Sequence, residues 1–142
     1  MQKVEVRRFI PAPIDKVWEC YTDHRGWVRF MGTGQITLAP EGQPTPNGVG
    51  CVRHIRVAGI EVVAEEVTVF EPLQRMKYRI VRGGGPLRNH DGEVLFAKEA
   101  DGTSVTWRCQ FEPSIPGLGR VLGFGVERMF KLVLDGVTKQ LC

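Results

Sequence analysis

The chain has 142 residues and a formal net charge of +3, which fits one domain, residues 1–142, large enough for a real core without staples. That charge is too small, and its cations too evenly interleaved with acids, to offer nucleic acid a phosphate-binding face. The N-terminus lacks the basic-then-apolar order of a signal peptide and no apolar run approaches the ~20 residues of a span, so no membrane insertion and a cytoplasmic location are expected.

Lys3 to Ile10 alternates apolar and charged residues and stops at Pro11-Ala12-Pro13, the pattern of a strand ended by prolines. Ile14, Val17, Trp18 and Tyr21 recur at helical spacing, and Trp27, Phe30 and Met31 follow Asp23, a candidate cap. Two short helices joined by a tight turn are predicted. Gly32 to Ala39 reads as a strand, and Pro40 to Gly48 as a loop.

Val49–Val57 and Ile60–Phe70 flank Ala58-Gly59, which predicts a two-residue hairpin. A regular register pairs Val57 with Ile60, Ile55 with Val62, Arg53 with Ala64 and Cys51 with Glu66. Arg53 and Glu66 then become diagonal neighbours on the inner face, while Val63, Glu65, Val67 and Val69 face out. Arg75 to Val81 alternates with Tyr78 inward. His90 to Glu99 and Thr103 to Glu112 flank Asp101-Gly102, predicting pairs of Lys98 with Val105, Phe96 with Trp107, Val94 with Cys109 and Gly92 with Phe111. His90 shares that inward parity.

Ile115 to Cys142 is predicted as an amphipathic helix of roughly seven turns. Its apolar side carries Leu118, Leu122, Val126, Met129, Phe130, Val133, Val137 and Leu141. One strongly curved antiparallel sheet of about seven strands, wrapped around this helix, is the α+β arrangement that covers the sheet's single apolar face.

The chain resembles the START-like helix-grip superfamily (SRPBCC), in particular its polyketide cyclase/dehydrase and lipid-transport branch. The residues that carry the resemblance are Ile10-Pro11-Ala12-Pro13 with Val17-Trp18, the strand start Gly48 to Arg53, Glu65-Glu66-Val67 leading to Pro72 and Tyr78, and Asp101-Gly102-Thr103 leading to Trp107 and Phe111. The resemblance implies a cavity between sheet and helix for an apolar or amphipathic small molecule. It does not imply one reaction.

The inward polar set is Arg53, Glu66, Tyr78 and His90. A buried arginine must be paired, so Arg53 and Glu66 form either a closed structural bridge or a ligand anchor. His90 is either a loop-end histidine or a general base, with Tyr78 as acid and Arg53 beside them in a cyclase or dehydratase reaction. Trp18, Trp27, Phe30, Met31, Phe96, Trp107, Phe111, Phe124, Met129 and Val133 are candidate cavity walls or plain core. No cofactor is implied: Gly117 to Gly123 misses the dinucleotide spacing, the three histidines show no ligand-type cluster, and no GxSxG appears. Cys20, Cys51, Cys109 and Cys142 show no metal-ligand spacing and read as reduced thiols. Three functions compete: a binding protein for a hydrophobic ligand, an enzyme using His90, Tyr78 and Arg53, and an interaction protein docking through an outer patch around Val63, Val67 and Val69.

Overall fold

The computed structural model describes residues 1–142. Strand β1 (Gln2–Ile10) is followed by helix α1 (Ile14–Thr22), a 3₁₀ turn (His24–Trp27) and the short helix α2 (Val28–Met31). Strands β2 (Gln35–Leu38), β3 (Val52–Val57), β4 (Ile60–Glu71), β5 (Arg75–Gly83), β6 (Leu87–Glu99) and β7 (Gly102–Pro113) lead to the long helix α3 (Gly119–Leu141). The seven strands form one antiparallel sheet in the order β1-β7-β6-β5-β4-β3-β2. This is the α+β helix-grip fold, and no helix is long and apolar enough to cross a membrane.

Local chemistry explains most boundaries. Pro13 holds the extended N-cap position of α1, and Asp15 sits in its first turn, where a negative charge suits the helix dipole. Asp23 makes no side-chain cap; the chain passes through the 3₁₀ turn instead, and α2 ends on Gly32 at φ 78°. Such a left-handed C-cap favours glycine. Helix α3 begins at Gly119 instead of Ile115, with Pro116 in the turn before it.

The registers of the two long hairpins depart from the sequence-derived ones in different ways. At β6–β7 the turn is Ala100-Asp101, with Glu99 opposite Gly102, and Phe96 pairs with Val105 and Val94 with Trp107. From Gly92 to Glu99 that is a slip of two positions, which leaves those side chains on their expected faces, and a further irregularity lies between Arg88 and Asp91, beside His90. At β3–β4, Val57 pairs with Ile60 and Arg56 with Glu61 as expected, but a bulge then pairs Ile55 with Val63, Arg53 with Glu65 and Val52 with Glu66. A one-residue bulge exchanges the faces of the residues beyond it. Glu65 and Val67 therefore turn inward and Glu66 outward. A second irregularity, between Val67 and Val69, restores Phe70 to the inside, opposite Met76.

A core of 25 buried apolar residues joins the sheet's inner face to α1 and to the C-terminal half of α3, where Phe130, Val133, Leu134 and Val137 are buried. Val67 is fully buried, so the expected outer apolar patch around Val63, Val67 and Val69 does not form.

Candidate functional site

Arg53 is the centre of the interior. Its side chain is 0% exposed because β3 places it on the inner face, under the 3₁₀ turn and opposite β4. Nε–H donates to Glu65 Oε1 at 2.8 Å, and Nη1 donates to His24 Nδ1 at 3.0 Å. The guanidinium carbon lies 4.6 Å from the centre of the Trp27 ring and 4.5 Å from that of Tyr78. Two aromatic faces and one carboxylate thus replace its hydration. Burial is the largest single influence and works against the charge, but Glu65, Tyr21, Tyr78 and Cys51 together outweigh it, and the pKa of Arg53 is raised.

This arrangement fixes the tautomer of His24. Arginine has donors only, so Nδ1 must be the acceptor, and Nε2–H is left to donate to the Asn47 carbonyl at 3.2 Å. The Asn47 side chain accepts from the His24 backbone N–H at 3.2 Å. The Pro40–Gly48 loop is thereby tied to the buried arginine. Burial, and then the Arg53 charge, hold the His24 imidazole well below its usual pKa.

Tyr78 stands beside Arg53 on β5. Trp107 Nε1–H donates to its hydroxyl oxygen at 2.8 Å, leaving the phenolic proton for another acceptor. The Tyr78 ring has room because residue 92 is glycine; a Cβ there would collide with Cζ and Cε1 of that ring. Burial, and then Glu65, push the Tyr78 pKa well above its usual value. His90 lies 5.4 Å from the Tyr78 ring, centre to centre. Burial is the largest cause of its lowered pKa, so the ring is neutral at neutral pH.

Three buried polar atoms in this region have no hydrogen-bond partner: Tyr21 Oη, Arg53 Nη2 and His90 Nδ1. Each such group costs roughly 1–3 kcal/mol when left unpaired. Glu65 acts electrostatically on all three residues and on Cys109, whose thiol is pushed up to about 12 by burial and then by Glu65.

Around this polar centre the interior is closely packed. Trp107 stacks on Phe130 at 4.0 Å, Tyr21 meets Trp107 edge-on at 5.1 Å, and Trp18 meets Phe96 edge-on at 4.9 Å. Phe111 and Val133 are fully buried in the same core. Aromatic rings therefore occupy this part of the interior, where the sequence leads to the expectation of a cavity. Beyond Arg53 the inner face of β3 opens: Ile55 is half-buried and Val57 is exposed.

The remaining sequence-derived candidates fall in different places. Phe30 lies over Gly136 of α3, with Met31 half-buried beside it in sequence. Met129 is 39% exposed on the flank of α3, and Phe124 is 65% exposed and points away from the core. Glu66 is not the partner of Arg53; the bulge sends it outward, where it accepts from Arg79 Nη2 at 2.9 Å. Glu65, His24 and Tyr21 take part in the centre although the sequence pattern places Glu65 outside and gives His24 and Tyr21 no role there. The only sequence signal for them is that a buried Arg53 demands partners.

The profile of the family described as polyketide cyclase/dehydrase and lipid transport matches residues 1–141. The chain belongs to this family. No curated protein matches the sequence. Among solved structures, the Zhui aromatase/cyclase from Streptomyces sp. R1128 superposes with a TM-score of 0.80 at 20% identity, covering 99% of this chain and 93% of that one. A Thermobifida fusca protein gives 0.78 at 18% identity, over 98% and 95% of the two chains. Ara h 8.0201 gives 0.77 at 13% identity, over 98% and 96%. At these identities the likeness speaks for the fold.

Proposed function

We propose that the protein binds an amphipathic small molecule, an aromatic or lipid-like body with one polar end, in the sheet–helix interior. The observation that carries this reading is three buried, unpaired polar atoms in the interior, Arg53 Nη2 and His90 Nδ1 on side chains that lie against the Tyr78 ring and Tyr21 Oη on a ring that meets Trp107. Two donors and a neutral imidazole suit a carbonyl, phenol or carboxylate at the ligand's polar end. The apolar body would run along Ile55 and Val57 of β3 towards Leu122, Val126 and Met129 of α3. The ring-packed base then serves as the floor that limits how deep the ligand goes. The family membership supports the class of ligand, and the open inner face beyond Arg53 supports the entry side.

Native mass spectrometry of gently purified protein tests this directly. A co-purified small molecule is expected in the wild type, and Met129→Trp is expected to block its uptake. A ligand-free interior, together with failure to take up an added planar aromatic alcohol such as 2-naphthol, would contradict the reading.

One observation favours a second reading, an enzyme of cyclase or dehydratase type. His90 offers a neutral, unpaired Nδ1 on a ring centred 5.4 Å from that of Tyr78, whose hydroxyl oxygen is already engaged by Trp107. A base and an acid so placed suit removal of a proton from a carbon beside a carbonyl by His90, while Tyr78 protonates the oxygen. Incubation with a linear poly-β-ketone distinguishes the two. Turnover lost in His90→Ala with ligand uptake retained makes it an enzyme; uptake without turnover leaves a carrier.

A further inference from the structure

A groove of about 570 Å³ runs between α2 and the C-terminal half of α3, outside the ring-packed interior. Its walls carry Arg29 and Phe30 from α2, and Arg128, Lys131, Leu132 and Lys139 from α3. Four cations from two elements thus face one concave space. The single acid there, Asp135, is already engaged by Arg8 at 3.1 Å. Lys131 has Glu127 at 3.2 Å and Arg29 has Asp23 only at 3.9 Å, whereas Arg128 and Lys139 make no ion pair.

Ordinary helix chemistry explains part of this and not the rest. A lysine in the last turn complements the helix dipole, which accounts for Lys139. It does not account for Arg128 at mid-helix, nor for Arg29 arriving from another element. Like charges gathered in a concave site repel one another and concentrate a counter-ion. Arg29 is also held in place before any ligand arrives: it donates to Gln140 Oε1 at 3.0 Å and lies 5.5 Å from the centre of the Phe30 ring. Phe30 in turn fits closely against Gly136, where any side chain would strike its ring. A fixed arginine, two unpaired cations and a flanking apolar surface from Phe30 and Leu132 match a phosphate group carried on a partly apolar molecule.

We infer that the groove between α2 and α3 is a binding site for a phosphate group, in which Arg29, Arg128 and Lys139 hold the anion and Phe30 and Leu132 flank its carrier. The same chemistry is presented by a soluble phosphate ester and by an anionic lipid headgroup.

Two arms test the site and tell these sources apart. In the first, inorganic pyrophosphate is titrated into the ¹⁵N-labelled full chain. Saturable shifts are expected at Arg29, Phe30 and the amides from 128 to 140, with affinity reduced about tenfold or more in the Arg128→Gln/Lys139→Gln double variant and unchanged in the distant control Lys98→Gln. In the second, the protein is sedimented with phosphatidylcholine vesicles with and without phosphatidic acid. Sedimentation that needs phosphatidic acid and is lost in the double variant assigns the site to a headgroup; pyrophosphate saturation without sedimentation assigns it to a soluble ester. The inference is overturned if neither probe gives a saturable response, if the double variant responds like the wild type, or if only an acidic peptide such as oligoglutamate shifts these amides. Both substituted side chains are exposed, so loss of folding does not confound the result.

Discussion

The β6–β7 and β3–β4 hairpins are built from similar lengths of chain, yet they bring different chemistry to the same interior. Near its turn the first sends in apolar side chains on facing positions, with Val94 opposite Trp107 and Phe96 opposite Val105, and it adds His90 to the polar centre from the far end of β6. The second, bent by its bulge, sends in Arg53 and Glu65 opposite one another. A regular ladder needs nothing but an apolar face to fix its register. A bulged ladder is specified by what its odd residues meet, here a buried ion pair braced by His24.

Removing the keystone of the regular hairpin is expected to have the largest effect. Trp107→Ala deletes the stack on Phe130 and the bond to Tyr78, and should cost about 4 kcal/mol in urea-induced unfolding. A loss under ~1 kcal/mol would mean that this half is more loosely packed than described.

The next prediction separates the two candidate registers at β3–β4. Glu65→Ala strands a buried guanidinium and should cost about 3 kcal/mol, the low end of the range for broken buried pairs because His24 and two rings remain. Glu66→Ala removes only an outer pair with Arg79 and should stay within ~1 kcal/mol. Reversed magnitudes would return Glu66 to the interior and remove the bulge.

Where the two regions touch, Gly92→Ala forces a Cβ into the Tyr78 ring and should cost about 2 kcal/mol. Its signature is a changed environment for Trp107, seen as a shift of its indole N–H resonance, since that group donates to Tyr78.

The polar centre, to which the 3₁₀ turn, β3 and β6 all contribute, should respond to mild acid. His24 and His90 both have pKa values lowered first by burial, so below an unfolded value of about 6.5 the unfolded chain binds protons that the folded one refuses. Stability is therefore full above that pH and falls as pH drops towards the folded values, by at most ~1.4 kcal/mol per pH unit for each histidine. Melting temperatures measured from pH 7.5 to 5 should decline in the wild type and decline less in His24→Gln. A flat wild-type profile would contradict the buried neutral histidines.

The same contrast explains how much of the molecule is legible in the sequence. Element order and the sheet with its long helix follow from apolar periodicity, Pro11, Pro13 and the Ala58-Gly59 turn. At β6–β7 the turn lies one residue earlier than the Asp101-Gly102 pair suggests, which moves the register by two from Gly92 to Glu99 and leaves the faces there intact, so Val94, Phe96, Trp107 and Phe111 point inward as expected. At β3–β4 simple alternation carried past Val62, where the chain inserts an extra residue, gives Glu66 the place that belongs to Glu65. Nothing local to the Val62 region marks the bulge; it becomes visible only once the charge of Arg53 must be satisfied. His24 is hidden in the sequence because its role depends on the Pro40–Gly48 loop returning Asn47 to it, a contact spanning 23 residues. Phe124 fails as a cavity wall because α3 buries a seam through Phe130, Val133, Leu134 and Val137, which leaves Val121 and Phe124 on the far side.

The central claim is that the polar centre reached through the bulge holds the polar end of a ligand. The most direct measurement is a 2-naphthol titration followed by the fluorescence of Trp27 and Trp107, in the wild type and in the Tyr78→Phe/His90→Ala double variant. The account predicts saturable quenching in the wild type and an affinity at least about tenfold weaker in the variant, the equivalent of one lost charge-assisted or buried hydrogen bond. Equal affinity in the two proteins, or no saturable quenching in the wild type, would contradict it.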